Sequence, residues 1–217
     1  MWEQILGAIC VLCRQTIFGP DARRQLCRHC LADLPWLAEP ERPPPGPAIA
    51  RQISLFHYQD AARDWILAAK RERGLVAARV LGTLMAESLL DAYPRGEACP
   101  QYLVPVPLSV RRLLHRGHNQ ATLIGTPVAR ILGIPLACGA VRRRRHTRLQ
   151  PGLDAGERAR NVAGAFVCRR QWQGATVAIM DDLVTTGATA SSLADALLAA
   201  GAGAVHLWSP AIAHTPD

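Results

Sequence analysis

The chain has 217 residues, which is enough for one α/β domain of ordinary size and a small appendage. Its 25 lysine and arginine residues exceed its 17 acidic residues and give a net charge of +8, which favours phosphate-rich partners. No apolar run reaches the roughly 18 residues that a membrane span needs, and the first residues lack the basic region of a secretion signal. We therefore expect a cytoplasmic protein without a membrane span.

Near the start of the chain, four of the seven cysteines form two Cys-x-x-Cys pairs. Cys10 and Cys13 form the first pair, Cys27 and Cys30 form the second, and 13 residues separate the pairs. Each pair can present two thiolates from one turn, so this spacing predicts a tetrahedral site for structural Zn²⁺. A redox pair or a disulfide framework is the alternative, and His29 could replace one cysteine as a ligand.

The other three cysteines are single and complete an odd count. Cys99, Cys138 and Cys168 have no cysteine partner nearby in the sequence. Isolated cysteines often behave as small hydrophobic residues, so we expect these three to be buried.

Proline dominates residues 39–47, which read Glu-Pro-Glu-Arg-Pro-Pro-Pro-Gly-Pro. This composition is typical of a stiff, extended connector. We therefore expect three parts, which are a zinc-binding module at residues 1–38, a linker at residues 39–47 and a main domain at residues 48–217.

Strands and helices are predicted to alternate beyond the linker. Helical periodicity covers residues 61–90, with an interruption near Gly74, and residues 119–132. The predicted strands are residues 49–58, 102–107, 163–168, 176–180 and 204–208. Apolar strands that alternate with helices predict the α/β class, with a mostly parallel, doubly wound sheet. Ligands of such sheets bind outside the carboxyl ends of the strands.

The run that follows the strand at residues 176–180 carries the clearest functional pattern. Asp181 and Asp182 end the strand, and a Thr-Thr-Gly-Ala-Thr turn then opens a helix. Backbone N–H groups at a helix start favour a phosphate, Gly187 permits close approach, and the carboxylates can accept hydrogen bonds from sugar hydroxyls. The pattern predicts a site for a phosphorylated sugar; in the alternative interpretation the acids merely cap the turn. No Gly-x-x-x-x-Gly-Lys loop surrounds Lys70, the only lysine, which excludes the main competing mononucleotide motif.

A second loop leaves the strand at residues 102–107 with a hydroxyl and two guanidinium groups at its tip. It resembles the pyrophosphate-binding Pro-Val-Pro loop of amidophosphoribosyltransferases. The residues that we assign to it are Pro107, Leu108, Ser109, Val110 and Arg111, with Arg112 directly after them. A solvated, basic helix start is the alternative interpretation.

Residues 142–166 begin with four consecutive arginines and continue through polar and glycine-containing sequence. Such a composition is not that of a core segment. We expect a mobile lid between strands that closes over the ligand, poorly ordered at residues 142–157 when no ligand is bound. A solvated basic hairpin or a nucleic-acid-binding patch is the alternative, and the arginine run by itself favours it.

Taken together, six motifs in chain order, preceded by the two Cys-x-x-Cys pairs, resemble the ComF family over nearly the whole length of the chain. They are Val-Pro-Val-Pro-Leu at 104–108, Arg-Gly-x-Asn-Gln at 116–120, Thr-x-x-Gln-x-x-Leu at 147–153, Glu-Arg-x-x-Asn at 157–161, Gly-Ala-Phe at 164–166 and the acidic run at 181–189. The last of these is similar to the phosphoribosyl pyrophosphate (PRPP) loop of type I phosphoribosyltransferases. His118 departs from the family pattern, which usually has phenylalanine after Arg-Gly.

The resemblance implies a type I phosphoribosyltransferase-like fold, binding of PRPP with Mg²⁺, and a link to the uptake or use of external DNA. The implied PRPP-binding residues are Asp181, Asp182, Thr185, Thr186, Gly187, Ala188 and Thr189. Those of the lid are Thr147, Gln150, Arg158 and Asn161. Arg111, Arg112 and Arg158 are the implied catalytic cations, which neutralise the departing pyrophosphate.

Two functions are compatible with these motifs. The first is an enzyme that transfers ribose 5-phosphate to a nitrogenous acceptor. The second is a non-catalytic accessory protein that senses PRPP or binds single-stranded DNA beside competence or DNA-processing proteins. The sequence assigns no acceptor, oligomeric state or general base, although His118 and His146 are candidates for the base.

Overall fold

The computed structural model describes residues 7–70, 74–94, 98–144 and 164–213. The cysteine pairs lie in a small N-terminal module made of a two-stranded antiparallel hairpin and two short helices. Its elements are β1 (Ala8–Ile9), β2 (Thr16–Ile17), α1 (Pro20–Arg24) and α2 (Arg28–Ala32). We refer to residues 7–34 as the Cys module.

The rest of the described chain contains seven strands and five helices. The strands are β3 (Glu41–Arg42), β4 (Arg51–His57), β5 (Tyr102–Pro105), β6 (Val141–Arg143), β7 (Phe166–Cys168), β8 (Thr176–Met180) and β9 (Ala204–Ile212). The helices are α3 (Asp60–Ala69), α4 (Leu75–Ala92), α5 (Val110–Arg116), α6 (Gln120–Leu132) and α7 (Ala188–Ala199).

A five-stranded sheet in the order β3-β4-β9-β8-β5 forms the centre of the domain. The pairs β4–β9, β9–β8 and β8–β5 are parallel, and only the edge strand β3 is antiparallel to its neighbour. Strand β8 is apolar and buried from Val177 to Met180, as expected for an interior strand of a parallel sheet. The predicted α/β class and the mostly parallel sheet are confirmed.

Helices α4 and α6 pack together at very short range. A Cβ atom at Gly82 would overlap the carbonyl oxygen of Ile124 and the ring of Pro127, so only glycine permits this crossing. The contact fixes α6, which follows the loop after β5 and helix α5 in the chain. It thereby places that loop relative to the sheet.

Most predicted elements are present with small shifts of their ends. The strand at residues 176–180 has its predicted bounds, and the helical stretch with a break near Gly74 is α3 followed by α4. Strand β9 continues to Ile212, beyond the predicted end at residue 208. Helix α5 and strand β6 were not predicted.

The proline-rich segment after the Cys module packs on the main domain. Glu41 and Arg42 pair with β4, and the side chain of Pro45 lies against Gly187. The segment therefore reaches the turn that opens α7. Within the described residues, no helix combines the length and the apolar character that crossing a membrane requires.

Candidate functional site

Two loops meet at the carboxyl ends of the neighbouring strands β5 and β8. The N–H of Val106 donates to the carbonyl oxygen of Met180 at 2.9 Å, and the N–H of Asp181 donates to that of Trp208 at 3.0 Å. These bonds continue the parallel ladder one residue beyond the strands. The structure thus brings the predicted pyrophosphate loop and the predicted PRPP loop to one edge of the sheet.

The two acids at this edge are held by different contacts. Asp182 donates its N–H to Oδ1 of Asp181 at 2.9 Å. A carboxylate oxygen of Asp182 lies 3.1 Å from Nζ of Lys70, at the end of α3. Burial of the Asp181 carboxyl, and then the adjacent charge of Asp182, raise the pKa of Asp181 well above its usual value, while Lys70 opposes the rise.

The charges of two arginines on other elements act on these acids. Burial and the charge of Arg116 lower the pKa of Arg112, and the negative charge of Asp182 opposes this. Likewise, burial and the charge of Arg112 lower the pKa of Arg143, with Asp181 as the opposing charge. Both guanidinium groups therefore lie within electrostatic range of the acidic pair. Arg111, by contrast, has an exposed side chain.

The turn after the acids is fixed by backbone geometry. Val184 donates its N–H to Ala211 at 3.0 Å, which ties the turn to β9. Gly187 is the N-cap residue of α7 and has φ 71°, in the left-handed region that favours glycine. A Cβ atom there would also overlap Pro45. The first N–H groups of α7 lack intrahelical partners by geometry and are suited to bind a phosphate.

Side-chain caps shape the loop after β5. Ser109 is buried, and its hydroxyl accepts a hydrogen bond from the N–H of Arg112, so it caps α5. Asn119 accepts from the N–H of Ala121 at 3.1 Å and donates Nδ2 to the carbonyl oxygen of Val106 at 2.9 Å. One asparagine therefore caps α6 and anchors the end of β5, which gives a physical role to the Asn of the Arg-Gly-x-Asn-Gln motif.

His118 connects this loop to α3. Its Nε2 atom donates to the carbonyl oxygen of Ala69 at 3.1 Å. Ala69 immediately precedes Lys70, so the histidine steadies the helix end that presents the lysine to Asp182. Phenylalanine at this position could not make the hydrogen bond.

Sequence reasoning missed Lys70 and the distinct position of Arg143. In the sequence, Lys70 serves only to exclude a nucleotide-binding loop. That it is the only lysine of the chain was a signal that could have marked it as a candidate site residue. Arg143 lay within a run that was treated as one patch. Successive side chains of an extended segment point to opposite sides, so the arginines of this run differ in environment. Arg142 and Arg144 are exposed, whereas Arg143 turns inward over the ring of Phe166.

The expected lid lies mostly outside the described residues, including Thr147, Gln150, Arg158 and Asn161, and so does His146. Its expected start at residue 142 is wrong, since Arg142 and Arg143 belong to β6 and pair with β7. The arginine run therefore begins inside a hairpin.

The four paired cysteines come together in the Cys module. Their sulfur atoms all lie within 4.8 Å of one another, and the Cys13 and Cys27 sulfurs are 3.8 Å apart. Two ligands about 2.3 Å from one tetrahedral zinc would have a separation of about this size. The cluster fits a tetrahedral metal ion, whereas the alternative ligand His29 is exposed and does not belong to it.

Backbone N–H groups stabilise the ionised form of one cysteine in this cluster, the form that binds a metal ion. Burial of Cys10 opposes ionisation, but N–H groups of Cys27, Cys13 and Leu12 outweigh it and lower the pKa of Cys10 to about 6. Burial and the neighbouring thiols raise the pKa of Cys30. One thiolate is therefore available at neutral pH, and a bound cation would favour ionisation of the others.

The three single cysteines do not share one environment. Cys138 is exposed, so the expectation that it is buried is wrong. It lies in the turn before β6. Cys99 and Cys168 are partly buried.

No protein-family profile matches the chain. The DNA utilization protein YhgH of Salmonella typhi is 32% identical over 206 residues, which cover 92% of this chain and 88% of that protein. Competence protein F of Haemophilus influenzae is 30% identical over 188 residues, which cover 84% of this chain and 82% of that protein. Among solved structures, adenine phosphoribosyltransferase from Leishmania tarentolae has a TM-score of 0.38 and 15% identity, with 77% of this chain and 92% of that chain covered. Both bacterial relatives are matched along most of their length, so their similarity concerns nearly the whole chain.

Proposed function

The chain belongs to the ComF family, with DNA utilization protein YhgH and competence protein F, and on that basis we propose that it binds PRPP with Mg²⁺ and transfers ribose 5-phosphate. The bond from ribose C1 to the pyrophosphate oxygen breaks, and a nitrogen of the acceptor forms the new bond to C1. The acceptor loses its proton, and pyrophosphate leaves. Because the relatives carry names from competence and DNA utilization, we propose an acceptor derived from external DNA.

One observation carries this proposal: an acidic pair and the start of helix α7 lie at one sheet edge, with Lys70 paired to Asp182 and the positive charges of Arg112 and Arg143 within electrostatic range. PRPP has ribose hydroxyls and two negatively charged groups, which are the 5-phosphate and the pyrophosphate on C1. The carboxylates of Asp181 and Asp182 suit the hydroxyls, and the start of α7 suits the 5-phosphate. Lys70, Arg112 and Arg143 supply positive charge for the pyrophosphate.

The proposed catalysis consists of placement and electrostatic stabilisation. As the bond to pyrophosphate breaks, negative charge grows on the leaving oxygens, and fixed cations nearby lower the barrier. Mg²⁺, when bound through PRPP near the acidic pair, supplies further neutralisation of this charge. Arg111 and the Arg158 of the lid remain candidates for the same role.

For the Cys module we propose structural Zn²⁺ on Cys10, Cys13, Cys27 and Cys30. Four sulfur ligands of this spacing complete a closed tetrahedral shell, which leaves no open position for chemistry. In the reducing cytoplasm that we propose as its location, metal binding is favoured over disulfides.

Titration calorimetry tests the proposed function. We expect PRPP to bind with Mg²⁺ and to bind at least tenfold more weakly without it, while ribose 5-phosphate and pyrophosphate each bind more weakly than PRPP. A panel of nucleobases and amines, assayed for pyrophosphate release, then tests turnover. If PRPP does not bind at any Mg²⁺ concentration, the proposal is wrong.

A second candidate is binding of single-stranded DNA, with or without turnover. The exposed side chains of Arg142 and Arg144 favour it, as does the net charge of +8. Competence or DNA-processing proteins would then be partners. The two candidates are separable because Arg143 turns inward over the ring of Phe166, whereas Arg142 and the adjoining Arg144 are exposed.

A further inference from the structure

The proline-rich segment at residues 39–47, which we call the connector, covers one side of the turn that opens α7. Its Pro45 reaches Gly187, where a Cβ atom would overlap the proline ring. One helical turn further along α7, a Cβ atom on Gly46 would lie 3.2 Å from Oγ of Ser191. Gly187 is buried and Pro45 is half-buried, although both lie outside strands and helices. The connector and the start of α7 are therefore in direct contact.

Both ends of the connector are fixed to the main domain. Before Pro45, Glu41 and Arg42 pair with β4. After it, the N–H of Ile49 donates to the carbonyl oxygen of Gly46 at 3.2 Å, and the side chain of Ile49 is buried in the core. Proline restricts φ to about −65°, so the proline run that ends at Pro45 is stiff. A short, stiff segment between two fixed points holds the ring of Pro45 at a defined position.

This contact gives Gly187 a role other than the access of a ligand. The sequence led us to expect that the missing side chain admits a phosphate to the main chain. In the structure, Pro45 occupies the volume that a side chain would fill, and its ring has no donor for a phosphate. The carbonyl oxygen of Gly187 accepts from the N–H of Ser191 at 2.8 Å, which is the first hydrogen bond of α7. Pro45 thus packs on the residue at which the helix begins.

We propose that Pro45 is a positioning residue for the turn that opens α7. By packing on Gly187 it keeps this residue at its left-handed φ of 71° and so fixes the direction of the free N–H groups at the helix start. Donors that are already fixed bind an anion more tightly, because less conformational entropy is lost on binding. This inference rests on the proposed function, in which these donors hold the 5-phosphate of PRPP.

Calorimetry with ribose 5-phosphate, pyrophosphate and PRPP, each with Mg²⁺, locates the effect of the ring. Pro45→Gly removes the ring, and Pro44→Gly is the matched control, because Pro44 is an exposed neighbour whose replacement loosens the connector in the same way. Pro45→Gly should weaken ribose 5-phosphate and PRPP by about fivefold or more. It should leave pyrophosphate affinity unchanged, since pyrophosphate is bound by the cations and not by the turn. Pro44→Gly should bind all three ligands as the natural chain does.

A double variant tests the contact itself. Gly187→Ala alone places a Cβ atom against Pro45, and Pro45→Gly removes the ring that this atom would meet. The double variant should therefore bind PRPP about threefold or more tightly than Gly187→Ala alone, although it keeps the strain of a positive φ. A double variant that is as weak as Gly187→Ala, or weaker, would show that the ring does not act on this residue.

The outcomes separate this inference from the proposed function. If PRPP binds the natural chain and Pro45→Gly binds ribose 5-phosphate as well as Pro44→Gly does, Pro45 does not position the turn and the proposed function stands. If Pro45→Gly weakens ribose 5-phosphate and pyrophosphate equally, the effect is a general loss of structure and the inference is again wrong. If the natural chain binds neither ribose 5-phosphate nor PRPP, the proposed function is wrong and Pro45 only packs.

Discussion

Nζ of Lys70 lies 3.1 Å from a carboxylate oxygen of Asp182, which joins the end of α3 to the loop after β8. Both side chains are about three-quarters buried, since 25% of the lysine and 21% of the aspartate side chain are exposed. The lysine therefore balances part of the charge of the acidic pair before any ligand binds. It also remains close to the position that we propose for pyrophosphate.

We predict that Lys70→Met weakens PRPP binding by about tenfold or more, equivalent to roughly 1.4 kcal/mol. The change removes a cation from the pyrophosphate side of the site and leaves Asp182 without its ion pair. Lys70→Arg, which keeps the charge, should lose less affinity. Arg130→Met is the control for net charge, because Arg130 is exposed on α6. Calorimetry with Mg²⁺ and PRPP measures all three, and equal losses in Lys70→Met and Arg130→Met would remove Lys70 from the site.

The sequence predicted strand β8 with its observed bounds because an apolar run ends abruptly at two acids. It could not predict the ion pair of Lys70, because that contact depends on how α3 packs and leaves no local pattern. Helix α5 was missed for a related reason. Its apolar residues Val110, Leu113 and Leu114 are exposed, so no buried stripe accompanies it.

A second prediction concerns the pH dependence of the free protein. Because the pKa of Asp181 is raised in the folded state, folding favours its protonated form. Its contribution to the free energy of unfolding is present at acid pH and is lost as pH rises through the raised pKa. Asp181→Asn removes this loss, so the variant should melt at a higher temperature than the natural chain at about pH 8, with the difference vanishing near pH 4.

Thermal melts across this pH range check the sign of the effect. Asp195→Asn is the control, because it makes the same change of side chain at an exposed position of α7. The stabilised Asp181→Asn variant should bind PRPP more weakly, since it loses a carboxylate of the site. A lower melting temperature for Asp181→Asn at neutral pH would contradict the raised pKa.

We predict that Gly187→Ala abolishes or strongly weakens PRPP binding. The new Cβ would overlap Pro45 and would also strain a residue at φ 71°. Gly133→Ala is a matched control, since Gly133 has φ 69° and open space around the added carbon. The control carries only the left-handed strain, about 1–2 kcal/mol, and should keep its PRPP affinity. Equal PRPP affinity in the two variants would show that the turn does not depend on its contact with Pro45.

Metal analysis should find one zinc per chain, and Cys27→Ser should lose it. Cys27 lies at the centre of the cluster, because its sulfur accepts from the N–H of Cys30 and its own N–H donates to the sulfur of Cys10. Bound metal should also be released at acid pH, where protons compete with the metal for the thiolates. Cys138→Ser, which alters an exposed cysteine outside the cluster, should retain the metal. A metal-free natural chain, purified without chelators, would exclude the site.

The arginines of β6 should separate the two candidate functions. Arg143→Gln should weaken PRPP by about tenfold or more because the positive charge of Arg143 lies within electrostatic range of Asp181. The double change Arg142→Gln with Arg144→Gln should instead weaken single-stranded DNA binding and reduce its salt dependence, for all sequences alike. Calorimetry and fluorescence anisotropy at several salt concentrations measure the two effects. If the double change lowers PRPP affinity as much as Arg143→Gln does, the division between the faces is wrong.

The segment between the Cys module and the main domain also determines how the sheet meets other molecules. Along β4, the carbonyl oxygens of Pro35 and Pro40 accept backbone hydrogen bonds, and the N–H of Leu37 donates one. Trp36 packs on Phe56 with ring centroids 4.6 Å apart. Without it, β4 would present a seven-residue strand with unpaired backbone groups and the apolar side chains of Ile53, Leu55 and Phe56, which is a template for pairing with a second chain. If the Cys module holds Zn²⁺ as we propose, loss of the ion would loosen the chain that closes this edge. The expected consequence is aggregation through β4. The protein would then need the metal to remain soluble as well as to fold its Cys module.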